Sequence, residues 1–126
     1  QEGRSFPLSF NRKEIKDHGE GGNIIGAVPH GDVMIIDDVL SAGTAARESI
    51  DLIKGLMANP KIFVVGLDRQ EKGMSDLSAK SELERDFGIV IKSIVDLDAL
   101  IQFSKHNGQF HSYQDKLEDY RQTWGA

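Results

Sequence analysis

Cysteine is absent from the 126 residues, which removes a disulfide scaffold, a thiolate metal site and a cysteine nucleophile together. Such a chain fits a reducing cytoplasm. Positive charge is in the minority: 15 Lys and Arg stand against 20 Asp and Glu, for a net charge of −5. An acidic chain lacks the broad electrostatic attraction on which nucleic-acid binding rests, so no nucleic-acid partner is expected. No apolar run approaches the ~18 residues that a membrane-spanning helix needs, so no membrane partner is expected either. A signal peptide, basic and then apolar, is not seen at the start. The first residue is Gln1 rather than Met, which suggests a processed or incomplete chain. Hydrophobic residues make up 39% of the chain, and 13 glycines bring it into the globular range. Residues 1–126 read as one domain.

What is present alternates strand with helix. Val33-Met34-Ile35-Ile36 is an apolar, β-rich run ending at Asp37-Asp38, as a buried parallel strand would. From Thr44 to Met57, Ala46, Ile50, Ile53 and Met57 recur at helical spacing, and Pro60 marks the break. Ile62–Leu67 is a second strand, stopping at Asp68-Arg69. Ser78–Phe87 predicts a helix stopped by Gly88, Ile89–Val95 a third strand, and Leu97–Phe103 a short helix. Tyr113, Leu117, Tyr120 and Trp124 form a last helix-packing stripe. This order predicts an α/β fold, with right-handed crossovers and a parallel sheet covered by helices.

Chemistry concentrates at the predicted carboxyl ends of the strands, where open α/β sheets bind ligands. In VMIIDDVLSAGTAA, residues 33–46, a strand meets two acids, then a turn with Ser41, Gly43 and Thr44, then a helix. The turn and first helical residues offer unpaired N–H groups, two hydroxyls and the positive end of the helix dipole, a cradle for phosphate. Gly43 would permit close ligand approach or a positive φ. Two carboxylates beside such a cradle repel phosphate unless the ligand also brings hydroxyl donors or a cation. A phosphorylated ribose with Mg²⁺ nearby meets both conditions. The plainer reading of these residues is a strand ending in Asp-Asp with Ser41 or Thr44 capping a helix. No G-x-x-x-x-G-K-[ST] is present, and Gly19, Gly21, Gly22 and Gly26 do not fit G-x-G-x-x-G. A receiver-type strand-end Asp would leave the Ser41–Thr44 turn without a use. A long loop, residues 12–26, carries Arg12, Lys13, Lys16 and His18 among those four glycines. Long Gly-rich loops in small domains are usually functional or disordered. Read by itself, it is a solvated charged loop.

VMIIDDVLSAGTAA resembles the signature with which type I phosphoribosyltransferases bind phosphoribosyl pyrophosphate (PRPP). FNRKEIKDHGEGGNIIG, residues 10–26, is similar to the mobile catalytic loop of the orotate branch of that family. LDRQEKG at 67–73 and ELERDFGIVIKSIVDLDALI at 82–101 resemble further segments of the same branch. The family chain normally starts well before this loop, so the likeness is to its C-terminal portion. The resemblance implies a type I phosphoribosyltransferase fold with its N-terminal part missing. It implies transfer of ribose 5-phosphate from PRPP to orotate, giving orotidine 5′-monophosphate and pyrophosphate in pyrimidine biosynthesis. Asp37 and Asp38 would hold the ribose hydroxyls; Val39, Leu40, Ser41, Ala42, Gly43, Thr44 and Ala45 would wrap the 5′-phosphate. Ser41, where the family usually has Thr, would touch phosphate or orotate, and Arg69 would pair with the orotate carboxylate. Arg12, Lys13, Lys16 and His18 would reach the pyrophosphate as catalytic residues. Mg²⁺ is the implied cofactor, with no protein ligand assigned to it. A homodimer whose loop crosses to the neighbouring site is the implied assembly. The same residues would also suit a PRPP-sensing regulatory module, or an inactive fragment of such an enzyme.

Overall fold

The computed structural model describes residues 3, 5–11 and 24–126. Strand β1 (Ser9–Asn11) pairs antiparallel with β2 (Ile24–Gly26), setting Ser9 opposite Gly26. Ile24–Gly26, expected within the loop, is therefore strand, because the β-branched Ile24-Ile25 pair extends opposite Phe10. Gly26 has φ +100°, and a Cβ there would lie 2.5 Å from the Leu8 carbonyl oxygen. Arg12, Lys13, Lys16 and His18 lie outside the described residues.

The main sheet holds three parallel strands in the order β3 (Asp32–Leu40), β4 (Asn59–Asp68) and β5 (Val90–Asp96). Helix α1 (Thr44–Gly55) joins the first two strands and α2 (Ala79–Phe87) joins the second to the third. Helix α3 (Leu97–His106), a 3-10 turn (Gly108–Tyr113) and α4 (Gln114–Trp124) follow. The α/β class and the parallel sheet agree with the sequence expectation. Several boundaries do not.

Strand β3 does not stop at Ile36 but continues through both aspartates to Leu40. Its ladder with β4 persists, with Asp37 beside Val65, Val39 beside Leu67 and Leu40 beside Asp68. Pro60 is no break; it is the buried second residue of β4, opposite Val33, where the register slips between Val33 and Met34. That slip and its place near the strand's start let the ladder tolerate a residue without an N–H. Helix α1 ends at Gly55, so Met57 leaves the predicted stripe: it has φ 62° and is 93% exposed. The turn it makes lets Ala58 bond back to the Ile53 carbonyl at 3.2 Å and enter the core. Helices α2 and α3 start on side-chain caps, where Ser78 accepts from the Ser81 N–H and Asp96 from the Ala99 N–H.

The core joins Leu40, Ala46, Ile50, Phe63, Val65, Ala79, Leu83, Ile89 and Ile91. All of it lies between α1, α2 and one face of the sheet. Both crossovers step the same way, β3 to β4 to β5, and right-handed connections stepping one way place both helices on one side. Helices thus flank the sheet as expected, and among the described residues they cover one of its faces. On the other, Met34, Ile36 and Ile94 are exposed, in line with half-buried Ile62 and Val64.

Candidate active site

Asp37 and Asp38 are adjacent in an extended strand, so their side chains leave on opposite faces. Each then curls forward: the Asp37 carboxylate accepts the Asp38 N–H at 2.9 Å, and that of Asp38 accepts the Val39 N–H at 2.8 Å. One oxygen of each is thus held in place, and among the described residues the other has no partner. Both lie within β3, close before Leu40, after which the chain turns.

That turn is built unlike a capped helix start. Gly43 stands at the N-cap of α1 with φ 89° and ψ 4°, and no side chain caps the helix. Gly43 is also buried: a Cβ would lie 3.3 Å from Ala79 Cβ and 3.5 Å from Leu83 Cδ1. Positive φ and close packing on α2 both call for glycine, so the glycine here is structural. The first turn of α1 keeps N–H groups without intrahelical partners. Among the described residues, the hydroxyls of Ser41 and Thr44 likewise make no hydrogen bond. The plainer reading, in which one of them caps the helix, does not match this geometry. Ala42, Thr44 and Ala45 are exposed, and Ser41 is half-buried. Val39 and Leu40 are still strand, and the Leu40 side chain is core at 1% exposure, so it has only backbone to offer a ligand.

Arg69 arrives from β4. Its N–H donates to the Leu40 carbonyl at 2.9 Å, which fixes it next to the start of the turn. Gln70 follows with φ 54°, its N–H held by the Asp68 carboxylate at 2.8 Å, and the chain bends off the sheet. The Arg69 guanidinium, 45% exposed, donates from Nη1 to the Tyr120 hydroxyl at 3.4 Å and lies 3.6 Å from Glu71 Oε1. That hydroxyl in turn donates to Glu71 Oε1. The Tyr120 contact and the Glu71 charge push the Arg69 pKa up. Burial first, then the Glu71 hydrogen bond, push the Tyr120 phenol up, so it remains a donor at neutral pH.

Two residues that sequence reasoning passed over organise this edge. Tyr120 was expected as helix packing, and no sequence signal links it to Arg69, 51 positions away. Glu82 is 1% exposed and accepts from Met74 N–H at 2.8 Å, Ser75 N–H at 2.7 Å, the Ser75 hydroxyl and Arg47 Nη2 at 3.1 Å. Its carboxyl is lowered to about 2, chiefly by the Ser75 hydroxyl and the Met74 N–H, against the opposing effect of burial. It ties the 73–75 loop and α1 to α2. A separate cavity of about 510 Å³ opens at the ends of β4 and β5, lined by Asp68, Lys80, Asp96, Asp98 and Arg121 among others. It includes neither Asp37, Asp38 nor the 41–45 turn, and its acidic lining suits phosphate poorly. Burial pushes Asp68 up within it.

No protein-family model matches the chain. It is 49% identical to an orotate phosphoribosyltransferase of Marinobacter nauticus over 125 residues, covering 99% of this chain and 59% of that protein. An orotate phosphoribosyltransferase of Cellvibrio japonicus is 44% identical over 124 residues, 98% of this chain and 58% of its own. Among solved structures, an orotate phosphoribosyltransferase of Francisella tularensis superposes with a TM-score of 0.70 at 34% identity, over 95% of this chain and 56% of that one. The chain thus spans somewhat more than half the length of each. The likeness to orotate phosphoribosyltransferases extends over 95–99% of this chain and corresponds to a segment of each of them.

Proposed function

We propose that this chain supplies the PRPP-binding and orotate-anchoring residues of an orotate phosphoribosyltransferase. The reaction transfers ribose 5-phosphate from PRPP to orotate, yielding orotidine 5′-monophosphate and pyrophosphate in pyrimidine biosynthesis. The reading is supported by the uncapped 41–45 turn that follows β3, by the Arg69 N–H bonded to the Leu40 carbonyl where that turn begins, and by Asp37 and Asp38, each with one carboxylate oxygen unpartnered among the described residues. Asp37 and Asp38 accept the ribose hydroxyls. The N–H groups after Gly43, with Ser41 and Thr44, take the 5′-phosphate, and Ser41 also contacts orotate. Arg69 is the planar two-pronged donor that a carboxylate calls for.

Pyrophosphate gathers negative charge as it leaves the anomeric carbon, and fixed positive charge there is the largest catalytic contribution. Arg12, Lys13, Lys16 and His18 are the cations proposed for that task, offered by a loop from the second subunit of a homodimer. The hard oxygens of Asp37 and Asp38 also fit Mg²⁺, which when bound neutralises charge on the pyrophosphate. No helix among the described residues is long and apolar enough to cross a membrane, in keeping with the proposed cytoplasmic setting.

The test pairs an assay of orotidine monophosphate formation with calorimetric binding of PRPP in the presence of Mg²⁺. Charge-assisted hydrogen bonds contribute roughly 1.5–3 kcal/mol each, so Asp37→Asn with Asp38→Asn should weaken PRPP by at least about tenfold. Unchanged affinity in a folded double variant would remove the two acids from the site.

A further inference from the structure

We infer that Tyr120 is a positioning residue for Arg69, holding its guanidinium ready for a ligand carboxylate. The inference rests on the reading of Arg69 given above. An arginine beside a carboxylate normally pairs with it bidentately, and Glu71 stands only two residues away. Such a pair would withdraw Arg69 from any ligand. The observed arrangement differs: Arg69 Nη1, the Tyr120 hydroxyl and Glu71 Oε1 form a triangle, in which the hydroxyl donates to Glu71 Oε1 and accepts from Nη1 at 3.4 Å, and the Arg69–Glu71 ion pair runs through Nη1 alone at 3.6 Å. Tyr120 thereby satisfies part of the Glu71 charge and engages one corner of the guanidinium. Among the described residues Nε and Nη2 are left as a two-pronged face, the geometry that a planar carboxylate matches.

The tyrosine is held in place by the backbone. The Lys72 N–H donates to the Trp124 carbonyl at 2.9 Å, Glu71 bridges to Gly125, and the Ala126 N–H donates to the Gln70 carbonyl at 3.1 Å. Helix α4 is thus stitched to the segment that carries Arg69 and Glu71, and Tyr120, one turn back from Trp124, faces that segment. A phenol that stays protonated at neutral pH keeps the donor to Glu71 permanently available.

The test compares binding of orotidine 5′-monophosphate with uridine 5′-monophosphate, which is the same nucleotide without the carboxylate. Calorimetry on the chain gives the ratio of the two affinities. Tyr120→Phe keeps the ring and should lower that ratio by roughly tenfold through the orotidine nucleotide alone, since one hydrogen bond near a charge is at stake. Arg69→Met should bring the ratio near one, and Tyr120→Phe added to it should change nothing further. If Arg69→Met collapses the ratio while Tyr120→Phe preserves it, the positioning role is overturned and the reading of Arg69 stands. A ratio that survives Arg69→Met overturns both. Equal loss of the two nucleotides in Tyr120→Phe, or a residual effect in the double variant, assigns the tyrosine to general packing and overturns the inference.

Discussion

Gly43 shows how one residue serves the fold and, in the proposed site, the ligand as well. Its positive φ swings the chain from β3 into α1 without a side-chain cap, and its missing Cβ lets α2 close beneath the turn. Gly43→Ala should cost about 1–2 kcal/mol, the usual strain of an L-residue in the left-handed region. It should also weaken PRPP, because relieving the contact with Ala79 moves the N–H groups proposed to hold phosphate. Urea midpoints and PRPP calorimetry check the two effects separately, and a variant as stable as the parent would contradict the strained geometry. The role of Gly43 was partly legible in the sequence, where a glycine between a strand and a helix implied either close approach or positive φ. The choice between them depended on Ala79 and Leu83, 36 and 40 positions away, which only folding brings near.

At the scale of elements, α2 anchors the loop that follows the Arg69 segment. Glu82 gathers three donors from Met74 and Ser75 and a fourth from Arg47 of α1, and a Cβ on Gly73 would fall 2.1 Å from its Oε2. Its folded pKa of about 2 lies below the ordinary 4.5. The stability it contributes is therefore complete above the unfolded value and fades as pH falls through about 2. Glu82→Gln should be less stable near neutrality and show a flatter acid-unfolding profile between pH 4.5 and 2. Denaturant midpoints across that range test this, and parallel profiles for parent and variant would assign the acid sensitivity elsewhere. Periodicity located α2, its Ser78 start and its Gly88 stop, because those signals are local. It misjudged the ends of β3 and α1 for the opposite reason. Asp37 and Asp38 look like a strand terminus until the β4 ladder beside them is seen, and Met57 keeps helical spacing although the chain has already turned toward Ala58.

Among the described residues, at the scale of the molecule, one sheet face is packed and the other open. Met34, Ile36 and Ile94, at 56%, 71% and 81% exposure, leave an apolar surface of a kind that parallel sheets normally cover. The chain by itself should bind an environment-sensitive dye there and self-associate. Ile36→Lys with Ile94→Lys should reduce both, measured by fluorescence and sedimentation; unchanged association would place the contact on another surface. A second prediction concerns the proposed shared site. Mixing an enzyme carrying Lys16→Ala with one carrying Asp37→Asn and Asp38→Asn should restore part of the lost turnover, since one site then combines an intact loop with an intact cradle. Demonstrable heterodimers with no recovered activity would confine the loop to its own subunit.

The sequence by itself determined the alternation of strand and helix, the parallel sheet, and the strand-turn-helix holding Asp37, Asp38 and Gly43. Each of these depends on neighbours within a few positions, where hydrophobic period, caps and glycine act directly. Only the tertiary structure decided that Arg69 stands beside Leu40, that Tyr120 and Glu71 hold its guanidinium, and that Glu82 fastens the loop to α1. The decisive ones join groups dozens of positions apart, Leu40 with Arg69, Arg69 with Tyr120 and Arg47 with Glu82. Local patterning sets which face of a helix or strand is buried, whereas hydrogen-bond partners across elements are chosen by how the packed elements meet.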